Sequence, residues 1–423
     1  MRFQYIASLA LAMIGFASGQ QCSGVAAPLY AFAVDPAYKA IKVAGGLSGP
    51  RGIAIDKSGR LLIIQRGKGI TQHTVNSAGC ITASTTLLQN TKLNHGIFFS
   101  PDGTKLYASS ATDVYRWSYN PTTGKLGTDM TTVVTGMNPG GHSTRTLIIP
   151  PNRPNLLVVS HGSISNLDYD SLNPAVARAI VKVFDLNSTP TGGYNYVTQG
   201  YNAGYGLRNE VGLAFDGNNM LWGVENSADD LTRTANGVTT DVHLNNPAEE
   251  LNFLGDVSKP NNKWYGYPTC FTVNDGTQFK DRTFSQGDQF VLAPNSTFND
   301  TTCVQKSKPP SLIFPAHSAP LDAKFDSNFQ NLWVTLHGAW DRKPPTGFAV
   351  VRVPFTKASD GSYAPTTPIN KIGYVKIFTP RSSNGPTCSS DTCVRPVGLV
   401  FDAAGRVYMT SDASGELFLI SKI

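Results

Sequence analysis

Charge is scarce in this chain. Asp, Glu, Lys and Arg make up 15% of its 423 residues, against about a quarter in an average soluble domain. Many amphipathic helices would need more, so a helical fold is disfavoured. Lys plus Arg outnumber Asp plus Glu by 35 to 29, a formal +6. No Lys/Arg block concentrates that excess, so no nucleic-acid partner is expected. Long apolar runs are also missing. The one candidate, residues 5–16, is too short to span a bilayer, and no membrane partner is expected. There is no P-loop, no G-x-G-x-x-G after a strand, no G-x-S-x-G elbow and no H-E-x-x-H.

Turn formers are abundant, with 40 Gly and 27 Pro, which favours an all-β protein. Arg2, the short apolar run and Ala17-Ser18-Gly19 describe a secretory signal peptide over residues 1–19, and hence a secreted, extracellular protein. Residues 20–423 are then expected to form one domain. Secretion sets an oxidising compartment for the 6 Cys. Proximity favours Cys388–Cys393 and Cys270–Cys303, leaving Cys22–Cys80. Asn187, Asn295 and Asn299 open N-x-[ST] sequons and fit glycosylated loops.

One pattern recurs along the chain: a small residue, apolar alternation, a turn, then a second apolar strand. Its copies are Pro50 to Ile64, Asn94 to Ala108, Thr146 to Val159, Val211 to Trp222, Leu321 to Val334 and Pro396 to Met409. Each reads as a β-hairpin. A lone hairpin leaves a face exposed, and radial repetition buries it, so six copies predict a six-bladed β-propeller. The Asp that closes many first strands is read as an acceptor for turn N–H groups. The stretches 229–262 and 272–309 are read as loop insertions. The acidic pairs Asp229-Asp230 and Glu249-Glu250 are read as solvated loop residues, with Ca²⁺ binding as the alternative.

In a propeller, the residues flanking such hairpins converge on one face around the axis. Here they are polar: Arg51, Arg66, His95, His142, His161, Arg208, Asn209, Glu225, Asn226, His317, His337, Arg395 and Asp412. Five of the 7 His fall on this ring. Arg forks suit carboxylates, and a neutral His can take a proton.

Gly206-Leu207-Arg208-Asn209-Glu210-Val211-Gly212 resembles the Arg-Asn strand of soluble pyrroloquinoline quinone (PQQ)-dependent glucose and sorbosone dehydrogenases. Gly141-His142-Ser143-Thr144-Arg145 resembles their catalytic-His strand. Leu336 to Arg342, Val394 to Asp402 and Ser411 to Glu416 resemble the last two blades of the sorbosone branch. The resemblance covers residues 40–423 and is greatest to fungal secreted pyranose dehydrogenases of this class. It implies a sugar dehydrogenase using PQQ and Ca²⁺. His142 would be the base for the anomeric hydroxyl, with hydride passing from C1 to the quinone. Arg51, Arg208, Asn209, His317, His337 and Arg395 would line the cofactor, His337 standing where the glucose branch has a Lys. Backbone carbonyls of Ser227 and Ala228 would hold Ca²⁺, while His95 and Trp340 would line the substrate. Electrons would leave to an external acceptor: a quinone, a cytochrome or a copper oxidase.

Two other readings compete. A Ca²⁺-dependent propeller lactonase would use Glu225 and Asn226 on a metal but leaves the Arg cluster unexplained. A non-catalytic glycan-binding propeller needs no buried His/Arg ring.

Overall fold

Each recurring hairpin forms the two innermost strands of a separate sheet. The computed structural model describes residues 20–381, 388–389 and 392–423. The expected signal peptide lies outside them. Blade 1 runs Pro50–Ile55, Leu61–Gln65, Gly69–Val75 and Ile81–Gln89. Blade 2 begins Leu93–Phe99 and Lys105–Ser110. Blade 3 begins Leu147–Ile148 and Leu156–His161. Blade 4 comprises Glu210–Phe215, Leu221–Glu225, Glu249–Gly255 and Leu312–Phe314. Blade 5 begins Pro320–Phe325 and Asn331–Leu336. Blade 6 begins Pro396–Phe401 and Val407–Ser411. The innermost strands touch in sequence around the axis, blade 6 against blade 1. The fold is a six-bladed β-propeller.

The ring is sealed by its two ends. Tyr38–Ala44 adds to the last strand of blade 6, with Ile41 opposite Leu419. Phe32–Val34 adds to the outer edge of blade 5, with Phe32 opposite Pro380. Disulfides join Cys22–Cys80, Cys270–Cys303 and Cys388–Cys393, the pairing favoured by proximity.

Second strands are sandwiched between neighbouring blades, so they read as continuous apolar runs rather than alternations. Leu61, Leu62, Ile63 and Ile64 are each 0% exposed, and each such burial contributes about 1.5–3 kcal/mol. The strand-closing aspartates act as expected at the turns. Asp56 accepts from Ser58 N, Arg60 N and the Tyr119 hydroxyl, and Asp402 accepts from Ala404 N and Arg406 N.

The insertion expected at 229–262 is corrected in part. Glu249–Gly255 is the third strand of blade 4, paired with Leu221–Glu225, so Glu249 and Glu250 are buried strand residues. The remaining insertions form two β-ribbons, Thr232–Ala235 with Val238–Asp241 and Phe271–Thr272 with Gln289–Phe290. A short helix, Asp300–Lys306, is capped by the Asn299 side chain. Among the described residues no helix is long and apolar enough to cross a membrane.

The Cys22–Cys80 bridge closes a loop across a sequence separation of 58, for which chain entropy predicts about 4 kcal/mol. Replacing both cysteines by Ser should lower the unfolding free energy by about 2–4 kcal/mol in denaturant titration. An unchanged midpoint would show that strand pairing alone holds the ring shut.

Candidate active site

Polar strand ends from the blades meet on one face in two networks. In the first, the Arg51 guanidinium of blade 1 pairs with Asp412 of blade 6 at 2.8 Å. Asp412 also bonds His337 Nε2 of blade 5 at 2.8 Å. Arg395 donates to the carbonyls of His337 and Gly338 at 3.2 and 2.8 Å and lies over the Phe348 ring. Although burial opposes it, the His337 and Arg51 partners hold Asp412 well below the usual carboxylate range. Burial lowers His337 to about 4 and Arg51 to about 10. Among the described residues the buried Arg51 Nε has no acceptor, an orphan donor that favours an oxygen ligand.

The second network spans blades 3 to 5. His142 Nδ1 stands 3.0 Å from both the carbonyl and the hydroxyl of Ser163. That hydroxyl donates onward to the Ser165 carbonyl at 2.8 Å, leaving its lone pairs for His142. Nδ1 must therefore carry the proton, and Nε2 presents a lone pair. Burial, then the Arg208 charge, lowers His142 to about 4, so it is neutral near pH 7. A Cβ at Gly162 would meet His142 Cβ at 2.5 Å and Asn209 Oδ1 at 2.7 Å. Glycine there lets Asn209 sit beside the base.

Arg208 is spent on the protein. It bonds the Asn166 carbonyl and amide oxygen, the carbonyls of Asn226 and Ser227, and Asp229 Oδ2 at 2.8 Å. All of its N–H groups thus have protein acceptors, and it ties the 226–229 segment to Asn166. Ala228 is buried, and its carbonyl receives no hydrogen bond among the described residues.

His317 is buried with Nδ1 at 3.0 Å from Asp341 and 3.8 Å from Asp229, and Nε2 bonds the His243 carbonyl. Burial alone would lower it, but these acceptors outweigh burial and push it up to about 10. Asp229, His317 and Asp341 form a grouping that could hold a metal. Among the described residues neither oxygen of Asp341 accepts a well-aligned hydrogen bond.

His95 adjoins the first network, within reach of the Arg51 and Asp412 charges. His95 lines a central tunnel of about 200 Å³ with Gly52, Thr146, Leu213, Asp322 and Val400, one wall from each blade. Trp340 is 70% exposed, one residue from Asp341. His161 donates from Nδ1 to the Gly162 carbonyl and accepts Asn138 N, so it is structural. A cleft of about 740 Å³ lies between blades 6 and 1, lined by Lys42, His73 and Glu416 and by none of the expected site residues.

A family model for TrAA12-like proteins matches residues 32–423. The chain belongs to the TrAA12-like family. It is 40% identical over 410 residues to a pyrroloquinoline quinone-dependent pyranose dehydrogenase of Coprinopsis cinerea. That match covers 95% of this chain and 56% of the relative, so the chain spans just over half of that protein's length. The holo form of the pyranose dehydrogenase PQQ domain from the same fungus superposes with a TM-score of 0.92 at 39% identity, over 95% of this chain and 100% of that one. A calcium structure of the Trichoderma reesei family AA12 enzyme gives 0.87 at 36% identity, over 95% and 100%.

One feature of this TrAA12-like chain was not legible beforehand. Glu210, Glu225 and Glu250 stand opposite one another on three adjacent strands of blade 4. All are buried, and all three bond the single Asn252 amide nitrogen at 3.3, 3.0 and 3.4 Å. Two amide hydrogens cannot satisfy three carboxylates, and like charges in register repel. Burial raises Glu210 and Glu225 well above the usual range and Glu250 to about 7. The folded ladder therefore keeps protons that the unfolded chain releases above about pH 4.3. Its stability contribution is complete below that pH and is lost as pH rises through the raised values. Glu210 Oε1 has no partner. Glu210→Gln should thus raise the thermal midpoint at pH 8 and change it little at pH 4.5. Equal shifts at both pH values would refute a proton-holding ladder.

Proposed function

We propose that this chain is a secreted PQQ- and Ca²⁺-dependent dehydrogenase that oxidises free sugars at C1. The observation that supports it most is 40% identity across 95% of the chain to a PQQ-dependent pyranose dehydrogenase, joined to an arrangement that suits such a cofactor. Arg51, with its orphan Nε, would offer a fixed donor to an anionic quinone with carboxylates, and Arg395 adds positive charge beside it. The Asp229 and Asp341 carboxylates, grouped with His317, would supply oxygen ligands to Ca²⁺, and the Ala228 carbonyl, next to Asp229 in the chain, is a further oxygen donor. His317, with Nε2 on the His243 carbonyl and Nδ1 facing both carboxylates, would serve as their counter-ion.

When bound, PQQ supplies the two-electron acceptor for the C1 hydride, and Ca²⁺ polarises it. The chain's own residues do the rest. His142 Nε2 takes the C1 hydroxyl proton, with its ring held by Ser163. Arg208 orders the 226–229 backbone, and Asn209 stands beside the base. An external acceptor then receives the electrons. The lactonase alternative loses support because its ligands are engaged. Glu225 accepts Arg208 N at 2.6 Å and the Asn252 amide at 3.0 Å, and Asn226 Oδ1 faces the Asn209 amide at 3.5 Å. Exposed Asn187 and Asn295 are the sequons open to glycans.

His142→Ala should bind PQQ normally and lose about 10²–10⁴ in kcat. In the parent enzyme, kcat/KM should fall as pH drops through about 4, where His142 protonates, and not near 6.5. Retained turnover in the PQQ-loaded variant would remove His142 as the base. Chelator treatment should abolish activity with a sugar panel and dye acceptors, and Ca²⁺ should restore it better than Mg²⁺.

A further inference from the structure

The two networks of the site meet through one buried carboxylate. Glu249 is 3% exposed. Its Oε2 accepts Ser227 N at 2.5 Å, and its Oε1 accepts Ala319 N at 3.0 Å. Ser227 belongs to the segment that leaves blade 4 towards Asp229, and its carbonyl receives Arg208. Ala319 belongs to the turn leading into blade 5. That turn is unusual: His317 has φ 62° and Ala319 has φ 51°, left-handed backbone that non-glycine residues adopt only when their surroundings impose it. The same turn holds the other network. The carbonyls of Ala319 and Ser318 accept His337 N and Gly338 N, both at 2.9 Å. The carbonyls of His337 and Gly338 in turn hold Arg395.

We propose that Glu249 is a positioning residue that fixes the oxygen-rich half of the site against the cationic half, by holding the backbone of Ser227 and of Ala319 on one carboxylate. The role in metal binding rests on the Ca²⁺ reading above. Geometry is the reason: a carboxylate offers one acceptor oxygen to each of two N–H donors, whereas an amide of the same shape turns its NH₂ towards one of them. The adjacent Glu250 provides the contrast. It is equally buried, but its oxygens bond the side chains of Thr272 and Asn252, and no site backbone.

The test compares Glu249→Gln with Glu250→Gln in the full chain by two readouts. Ca²⁺ is titrated calorimetrically into chelator-treated protein with excess PQQ, and amide hydrogen exchange is followed at residues 226–229 and 317–319. Glu249→Gln should weaken Ca²⁺ at least tenfold and speed exchange at least tenfold in both segments, while Glu250→Gln leaves both unchanged. Parent-like exchange in Glu249→Gln, or equal effects in both variants, would overturn the proposal. Failure of the parent itself to bind Ca²⁺ would sink the metal reading, and the exchange readout would still decide whether Glu249 holds the two segments. If Glu249→Gln does not fold, Glu249→Asp, which keeps the charge but is one methylene shorter, is read by the same two criteria.

Discussion

Neighbouring inner strands approach so closely that no side chain fits between them, and the site depends on that closeness. A Cβ at Gly52 would meet the His95 carbonyl at 1.9 Å, and one at Gly96 would meet the Arg145 carbonyl at 2.2 Å. At Gly398 it would meet the Arg51 carbonyl at 2.5 Å. Hydroxyls on the second strands stitch the same seams. Ser109, Thr335 and Thr410 each donate at 2.7 Å to a carbonyl of the next blade: Arg145, Val397 and Arg51. The same hydroxyls accept Gly96 N, Asp322 N and Gly398 N where the inner strands bulge. Backbone therefore packs on backbone around the axis, and the residues that begin each inner strand are drawn together.

That closeness sets the electrostatics. Arg51, Asp412 and His337 come from three blades, yet they form one buried chain of contacts. Removal from water strengthens each contact and makes any unpaired group costly. Among the described residues the orphan Arg51 Nε is such a group in one network, and in the other the Asp341 carboxylate, ion-paired to His317 at 3.0 Å, accepts no aligned hydrogen bond. A ligand bearing both anionic oxygens and a cation answers both. Local rules of stability are relaxed here, in the left-handed turn at His317 and the glutamate ladder of blade 4, as is common where a fold serves a site.

The sequence by itself determined the repeat. Alternation, small residues and turn aspartates mark the inner hairpin of every blade, because those strands pack by local period and close approach. It also determined which residues stand at the hairpin ends, so Arg51, His142, Arg208, His317, His337 and Arg395 were visible as a ring. Only the tertiary structure decided what each touches. Arg208 looked like a free clamp, but its acceptors Asn166 and Asp229 lie 42 and 21 residues away. Glu249 and Glu250 looked like a solvated pair in a loop. They are buried because a strand of blade 4 follows a long insertion whose polar composition hides it, and their partners Ser227, Ala319 and Thr272 come from separate segments. Periodicity is a property of neighbours along the chain, and these bonds form between segments that only ring closure brings into reach.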